Sequence, residues 1–332
     1  MDYTINIFLR RKWTDARFRF NSTHYNLTEI SIDPHRYGDI WSPDLFFTNE
    51  KQARFHAITT PNHMIRINGD GQVFFSSRIT LTAQCPMHLD KFPMDTQTCQ
   101  LVLESFAYTT DIIQFHWSQE EKEEQKQINL SQFNLINTSH HERVKSYKSG
   151  DVQRNFTRLI MEFVLERDYK YFIIQTYIPS ILIVSLSWVG FWISYDSVPA
   201  RITLGLLTVL TLTTQSYSIL QTLPRVSYVK AIDVWMSTCL IFVFLALLEF
   251  VLVNTSHRKI TRRSIKGNAQ LPRKANSAKE DDENHRIWRY NEIRASTVDK
   301  CARAFFPLAF LIFIIIYVSV YTAMSDVKYP HD

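Results

Sequence analysis

Three stretches without a charged side chain decide most of what this chain can become: Tyr171 to Tyr195, Ile202 to Pro224 and Ala304 to Ser325. Each is longer than the roughly 20 residues that carry a helix across a bilayer. A fourth apolar stretch, from about Ala231 to Val253, has Asp233 and Glu249 with fifteen uncharged residues between them. The expectation is a membrane protein with four helical spans. Average hydropathy conceals this, because a polar first half offsets an apolar second half.

Basic residues set the orientation. Between Asn254 and Arg303, thirteen Lys and Arg stand against six Asp and Glu, a local charge of +7 that exceeds the +5 of the entire chain. Such a segment stays in the cytosol, and parity then puts the first half and the short C-terminal tail outside. Five N-x-[ST] sequons, at Asn21, Asn26, Asn129, Asn137 and Asn155, lie in that external half, and a sixth at Asn254 falls on the cytosolic side. Cys85 and Cys99 are close enough to form a small disulfide loop in an oxidising compartment; Cys239 and Cys301 read as buried free thiols. The basic balance is therefore a topology signal, and the folded half shows no basic cluster for a nucleic acid. No phosphate loop, nucleophile elbow or internal repeat occurs, so neither an enzyme nor a cofactor or metal centre is expected. The chain opens with MDYTINIFLRRKW, without the pattern of a signal peptide, and the expectation is an N-terminally truncated product.

The first half carries short alternating runs: Tyr3 to Leu9, Met64 to Ile67, Val73 to Leu81, Gln100 to Phe106 and Phe156 to Leu165. Turn signals such as Asn68-Gly69-Asp70-Gly71 separate them. This spacing predicts an antiparallel, immunoglobulin-like β-sandwich over residues 1–168. An all-α membrane domain of four helices follows, three of them within 169–253. A basic cytosolic linker is expected over 254–301, and the last helix with an external tail over 302–332.

The run CPMHLDKFPMDTQTC, Cys85 to Cys99, closely resembles the signature loop of the Cys-loop receptors, the pentameric ligand-gated ion channels. Further matches are IWSPDLFFTNE at Ile40, VSYVKAIDVW at Val226 and DKCARAFFPLAF at Asp299. The nearest branch looks like the anion-selective one, with glycine, GABA and invertebrate glutamate-gated chloride channels. The resemblance implies a homo- or hetero-pentamer in the plasma membrane, in contact with lipid and with a postsynaptic location, that conducts chloride when a small-molecule agonist binds outside. It also implies that the loop tip, Phe92, Pro93, Met94 and Asp95, passes motion to the membrane domain together with Lys230 and the Leu223 to Tyr228 turn.

Helical spacing from Thr203 puts Thr203, Leu207, Leu210, Thr214, Tyr217 and Gln221 on one stripe, which the resemblance assigns to the channel. The helix begins near Pro199 and Ala200, a favoured first-turn setting for proline. Its positive dipole end, about half a charge, would add to Arg201, and no acidic residue occurs from Ser197 to Gln221. Anion selection is therefore expected from a ring of helix starts and Arg201 guanidinium groups. Leu210 resembles the leucine that dewets the closed channel. Leu207 stands where related anion channels usually have threonine, so weak block by picrotoxin-like compounds is expected.

For the agonist, the resemblance implies two faces. Phe8, Arg10 and Ser76 match positions that hold a carboxylate, for which the planar guanidinium fork is suited. Glu104, Ser105, Phe106 and Tyr108 resemble the loop that supports an ammonium group, and Tyr147 and Phe156 are the aromatic residues available to a capping loop that here has no cysteine. That departure keeps two alternatives open. One is a channel of the same fold gated by pH or zinc through His140, His141 and His24, His35, His56, His63, His88 or His116; the other, favoured by the absent signal-peptide pattern, is a non-conducting truncated or accessory subunit.

Overall fold

The computed structural model describes the chain apart from residues 22–26, 119–129, 194–196, 225, 270–276 and 326–332. At residues 149, 256–269, 277–296 and 323–325 it describes the backbone alone. The chain divides into two compact units, Met1–His88 with Thr96–Glu166, and Leu89–Asp95 with Arg167–Asp332.

The first unit is a two-sheet sandwich. One sheet has the order β1 (Asp2–Thr14), β6 (Gln72–Gln84), β5 (His63–Asn68), β2 (Glu29–Ile32), with β4 (Glu50–Phe55) also paired to β6. The other runs β3 (Leu45–Phe47), β7 (Thr96–Ser105), β9 (Val152–Arg167), β8 (Phe133–Ser149). The reason β1 is a strand is visible in its alternation: Tyr3, Ile5, Ile7 and Leu9 turn inward while Thr4, Asn6, Phe8 and Arg10 turn out. The inward set packs on Phe47, Ile79, Leu81, Leu101, Leu103 and Leu159 from both sheets. A second apolar cluster, Ile65, Ile67, Val73 and Phe75, lies against Trp13 and Tyr37. The expected turn at residues 68–71 is present, and Gly71 is required there: its φ is +80°, and an added Cβ would stand 2.5 Å from the Asp15 carbonyl oxygen. All five alternating runs read from the sequence lie on strands, with Phe106 one residue beyond β7.

Among the described residues, the second unit holds four helices long and apolar enough to cross a membrane. These are α1 (Lys170–Trp192), α2 (Val198–Thr222), α3 (Ala231–Ala269) and α4 (Ser277–Ser325), the last two reaching beyond their membrane-length portions Ala231–Thr255 and Thr297–Thr322. Helical backbone thus enters the stretch read as a linker from both sides, in keeping with the high helix propensity of its Lys, Arg and Glu residues. Some polar groups inside the bundle are paired across helices. The Tyr177 and Tyr317 hydroxyls meet at 2.9 Å, and the Trp235 indole N–H donates to Ser180 Oγ at 2.8 Å. Helices α2 and α3 approach closely at Gly205, where an added Cβ would sit 2.5 Å from Leu247 Cδ1. Cys239 is buried as expected, whereas Cys301 is exposed, because its helix turns the opposite side to the bundle.

Candidate functional site

The sandwich gathers two groups of the expected ligand residues, one on each sheet. On the first sheet, Arg10 pairs directly with Ser76 across β1 and β6, and Phe8 pairs with Arg78. Phe8 is exposed and Ser76 is buried beneath its neighbours. Arg11, one residue on, points the other way, donating to the Pro43 carbonyl at 2.8 Å with its guanidinium carbon 4.5 Å from the centre of the Phe75 ring.

On the second sheet, Glu104 is only 2 % exposed and faces Arg158 across β7 and β9. Glu104 Oε2 accepts from Arg158 Nε at 2.9 Å and Nη2 at 2.7 Å, and from the Tyr147 hydroxyl at 3.3 Å. Arg158 Nη2 also donates to the Tyr147 oxygen at 2.8 Å, and Tyr147 meets Phe156 edge to face at 5.7 Å. Burial, and next the Glu104 charge, hold the Tyr147 phenol above its usual pKa. Phe106 is exposed and edge-on to Phe46 at 5.6 Å. Ser105 acts locally, its hydroxyl donating to Asp44 Oδ1 at 2.8 Å and accepting from the Tyr108 amide at 3.0 Å, while Asp44 Oδ2 accepts from the Ala107 amide. Arg158 and Asp44 were missed in the sequence. Asp44 lies inside the IWSPDLFF match, which was the available signal; Arg158 becomes visible only through the strand register.

The membrane-length helix α2 separates into two faces. Thr203, Leu207, Leu210, Thr214, Tyr217 and Gln221 are all exposed within the single chain, and Arg201, Thr208 and Leu212 are buried. The threonines satisfy their own hydroxyls: Thr203 donates to the Pro199 carbonyl at 2.8 Å and Thr214 to those of Leu210 and Thr211. A hydroxyl that bonds back to its helix costs nothing in an apolar setting and leaves lone pairs facing outward.

Arg201 departs from its expected place. Pro199, Ala200 and Thr203 are exposed, but Arg201 is 4 % exposed and turned into the bundle. Its Nη2 lies 3.0 Å from Asp299 Oδ2 on α4, and its Nε donates to the Ile193 carbonyl at 2.9 Å. The physical reason is the cost of an unpaired guanidinium at membrane depth, which a carboxylate on the neighbouring helix removes.

The Cys85–Cys99 disulfide is formed. Within the second unit, the loop tip is docked on helix starts: the carbonyl oxygens of Asp90 and Phe92 accept from the Ala231 and Ile232 amides at 2.8 and 3.2 Å. These are first-turn donors of α3 that have no acceptor within their own helix. Phe92 lies edge-on to Phe172 at 4.9 Å with Arg167 above it, and Arg167 Nε meets Asp95 Oδ1 at 2.7 Å. The Tyr228 hydroxyl accepts from the Leu89 amide, and Lys230 pairs with Asp233 at 3.2 Å. Pro93 is buried and Met94 partly so.

Asn21, Asn137 and Asn155 are exposed; Asn26, Asn129 and His24 lie outside the described residues. His116 Nδ1 lies 2.9 Å from Glu142 Oε2 and His141 Nε2 lies 3.4 Å from Glu162 Oε2, while His140 stacks edge-on against Trp117. The Trp117 amide, then His116, holds the Glu142 carboxyl below its ordinary pKa. Among the described residues no three His, Cys, Asp or Glu side chains converge as a metal site.

Two family models match the chain. The neurotransmitter-gated ion-channel ligand binding domain covers residues 1–169, and the neurotransmitter-gated ion-channel transmembrane region covers residues 176–271.

Proposed function

Because the chain belongs to the neurotransmitter-gated ion-channel family, whose members are multi-pass plasma-membrane channels and not enzymes, we propose that it is a subunit of a pentameric chloride channel opened by a small amino-acid transmitter. The first turn of α2 carries this reading. Pro199, Ala200 and Thr203 are exposed there, and no acidic residue follows as far as Gln221. The positive end of each helix dipole, about half a charge, then stands uncancelled at the entrance, and five of them favour an anion. Leu207 and Leu210 form the dewetting constriction above it.

An amino-acid agonist fits the two sheet faces. Its carboxylate meets Arg10 and Ser76 on one subunit, and its ammonium approaches Glu104, Phe106 and Tyr147 on the next, where Arg158 already shares the carboxylate. In this orientation the sandwich is extracellular and its exposed sequons are open to glycosylation; a synaptic location goes with the transmitter. The test is electrical. With glycine, GABA and glutamate applied in turn, replacing external chloride by gluconate is expected to shift the reversal potential. Ala200→Glu, which sets a carboxylate at each dipole end, is expected to reduce that shift. Currents carried by sodium in the unaltered protein overturn the anion reading.

The two histidine–carboxylate contacts favour a second reading, in which a change of pH gates a channel of the same fold. A current evoked by a pH step with no amino acid present supports it.

A further inference from the structure

We propose that Asp299 is a positioning residue for the start of the pore helix: it draws Arg201 into the subunit, so that the guanidinium braces the first turn of α2 and does not lend its charge to the permeation path. The inference rests on the channel reading above, but the geometry it uses belongs to a single chain.

Thr203 is two residues past Arg201, about 200° around a helix of 3.6 residues per turn, so the exposed stripe and the arginine occupy opposite sides of α2. Every contact of the guanidinium leads inward. Nη1 and Nη2 face the two Asp299 oxygens at 3.5 and 3.0 Å, Nε and Nη2 donate to the Ile193 carbonyl, and the group lies 5.7 Å from the centre of the Phe250 ring. One side chain thereby ties the start of α2 to α4 and to the backbone at the end of α1. Asp299 is itself 5 % exposed, so each charge is the other's counter-ion.

A second carboxylate stands beside this pair. Glu249 on α3 has both its oxygens buried, with its carboxyl close to that of Asp299 and within electrostatic reach of Arg201. Arg201 thus has one engaged acid and one in reserve, and neither is on the channel-facing stripe. Selectivity at this entrance then comes from backbone amides and not from the arginine side chain.

Exchanging the charges, Arg201→Asp with Asp299→Arg, distinguishes the two sources. Recorded in a Leu210→Thr background, whose wetted constriction removes the need for an agonist, the exchanged protein is expected to keep the unaltered protein's anion preference. A switch to cation preference overturns the proposal, because residue 201 would then be contributing its charge to the path. If the exchange does not reach the surface, Arg201→Gln with Asp299→Asn is read in the same way, and loss of anion preference again counts against it. A second measurement needs no conduction: melting of the purified assembly. Asp299→Asn alone is expected to lower the melting temperature more than the double neutral variant does, since it leaves a buried guanidinium only partly offset by Glu249; additive losses overturn the pairing. A parent protein that passes sodium while the melting data hold defeats the anion reading and leaves the brace standing.

Discussion

Arg201 in the helical unit and Arg11 in the sandwich are both drawn inward, and they are held in different ways. Arg201 meets a carboxylate and a carbonyl with almost no exposed surface. Arg11 is partly buried, bonded to the Pro43 carbonyl and the Tyr37 hydroxyl and laid over Phe75; no acid pairs with it among the described residues, and its Nε is left without a partner. Hydrocarbon surroundings demand a counter-charge, whereas aromatic faces and carbonyls near water suffice at the sandwich. Arg167, paired with Asp95 and lying over Phe92, combines both modes.

The comparison breaks most easily at Asp95. Asp95→Ala leaves Arg167 buried beside a ring without its carboxylate, and a loss of about 3–5 kcal/mol is expected, read as reduced melting temperature and surface expression. Asp299→Asn is expected to cost less, because Glu249 can take up the guanidinium; adding Glu249→Gln should bring the loss up to the Asp95→Ala level. Equal losses for Asp299→Asn with and without Glu249→Gln would remove Glu249 from the account. Arg11→Met is expected to change stability by under about 1 kcal/mol, since no carboxylate is stranded and the new side chain still covers Phe75; a loss as large as that at Asp95 would show that Arg11 has an unrecognised counter-charge.

The smallest effect concerns His63, which lies against Tyr37, Phe55 and Phe75. Burial, and next the Arg11 charge, lower its pKa below the unfolded value of about 6.5. Its contribution to stability is therefore complete above that value and lost as pH falls below it toward the folded-state pKa. His63→Phe is expected to flatten the decline in melting temperature between about pH 7 and 5, and Arg11→Met to flatten it partly.

The helices and the face of α2 were legible because both follow from a pattern along one element: an apolar run of bilayer length, and a stripe repeating every 3.6 residues. The same holds for β1, whose inward and outward sets alternate as written. Arg201 was legible as a charge at a helix start but not as a direction, because Asp299 lies 98 residues further along the chain. Glu104 presents the same difficulty, since Arg158 reaches it only through the register of β7 and β9. Spacing along one element can be read locally; a partner on another element cannot.

The two amides that begin α3 have no acceptor of their own and borrow the carbonyls of Asp90 and Phe92. A loan of this kind does not stretch. Hydrogen bonds weaken steeply with distance and angle, so a shift of about an ångström at that tip strands both donors together. Whatever moves the segment therefore moves the helix start with it or releases it altogether, and the joint transmits displacement as a click, not as a bend.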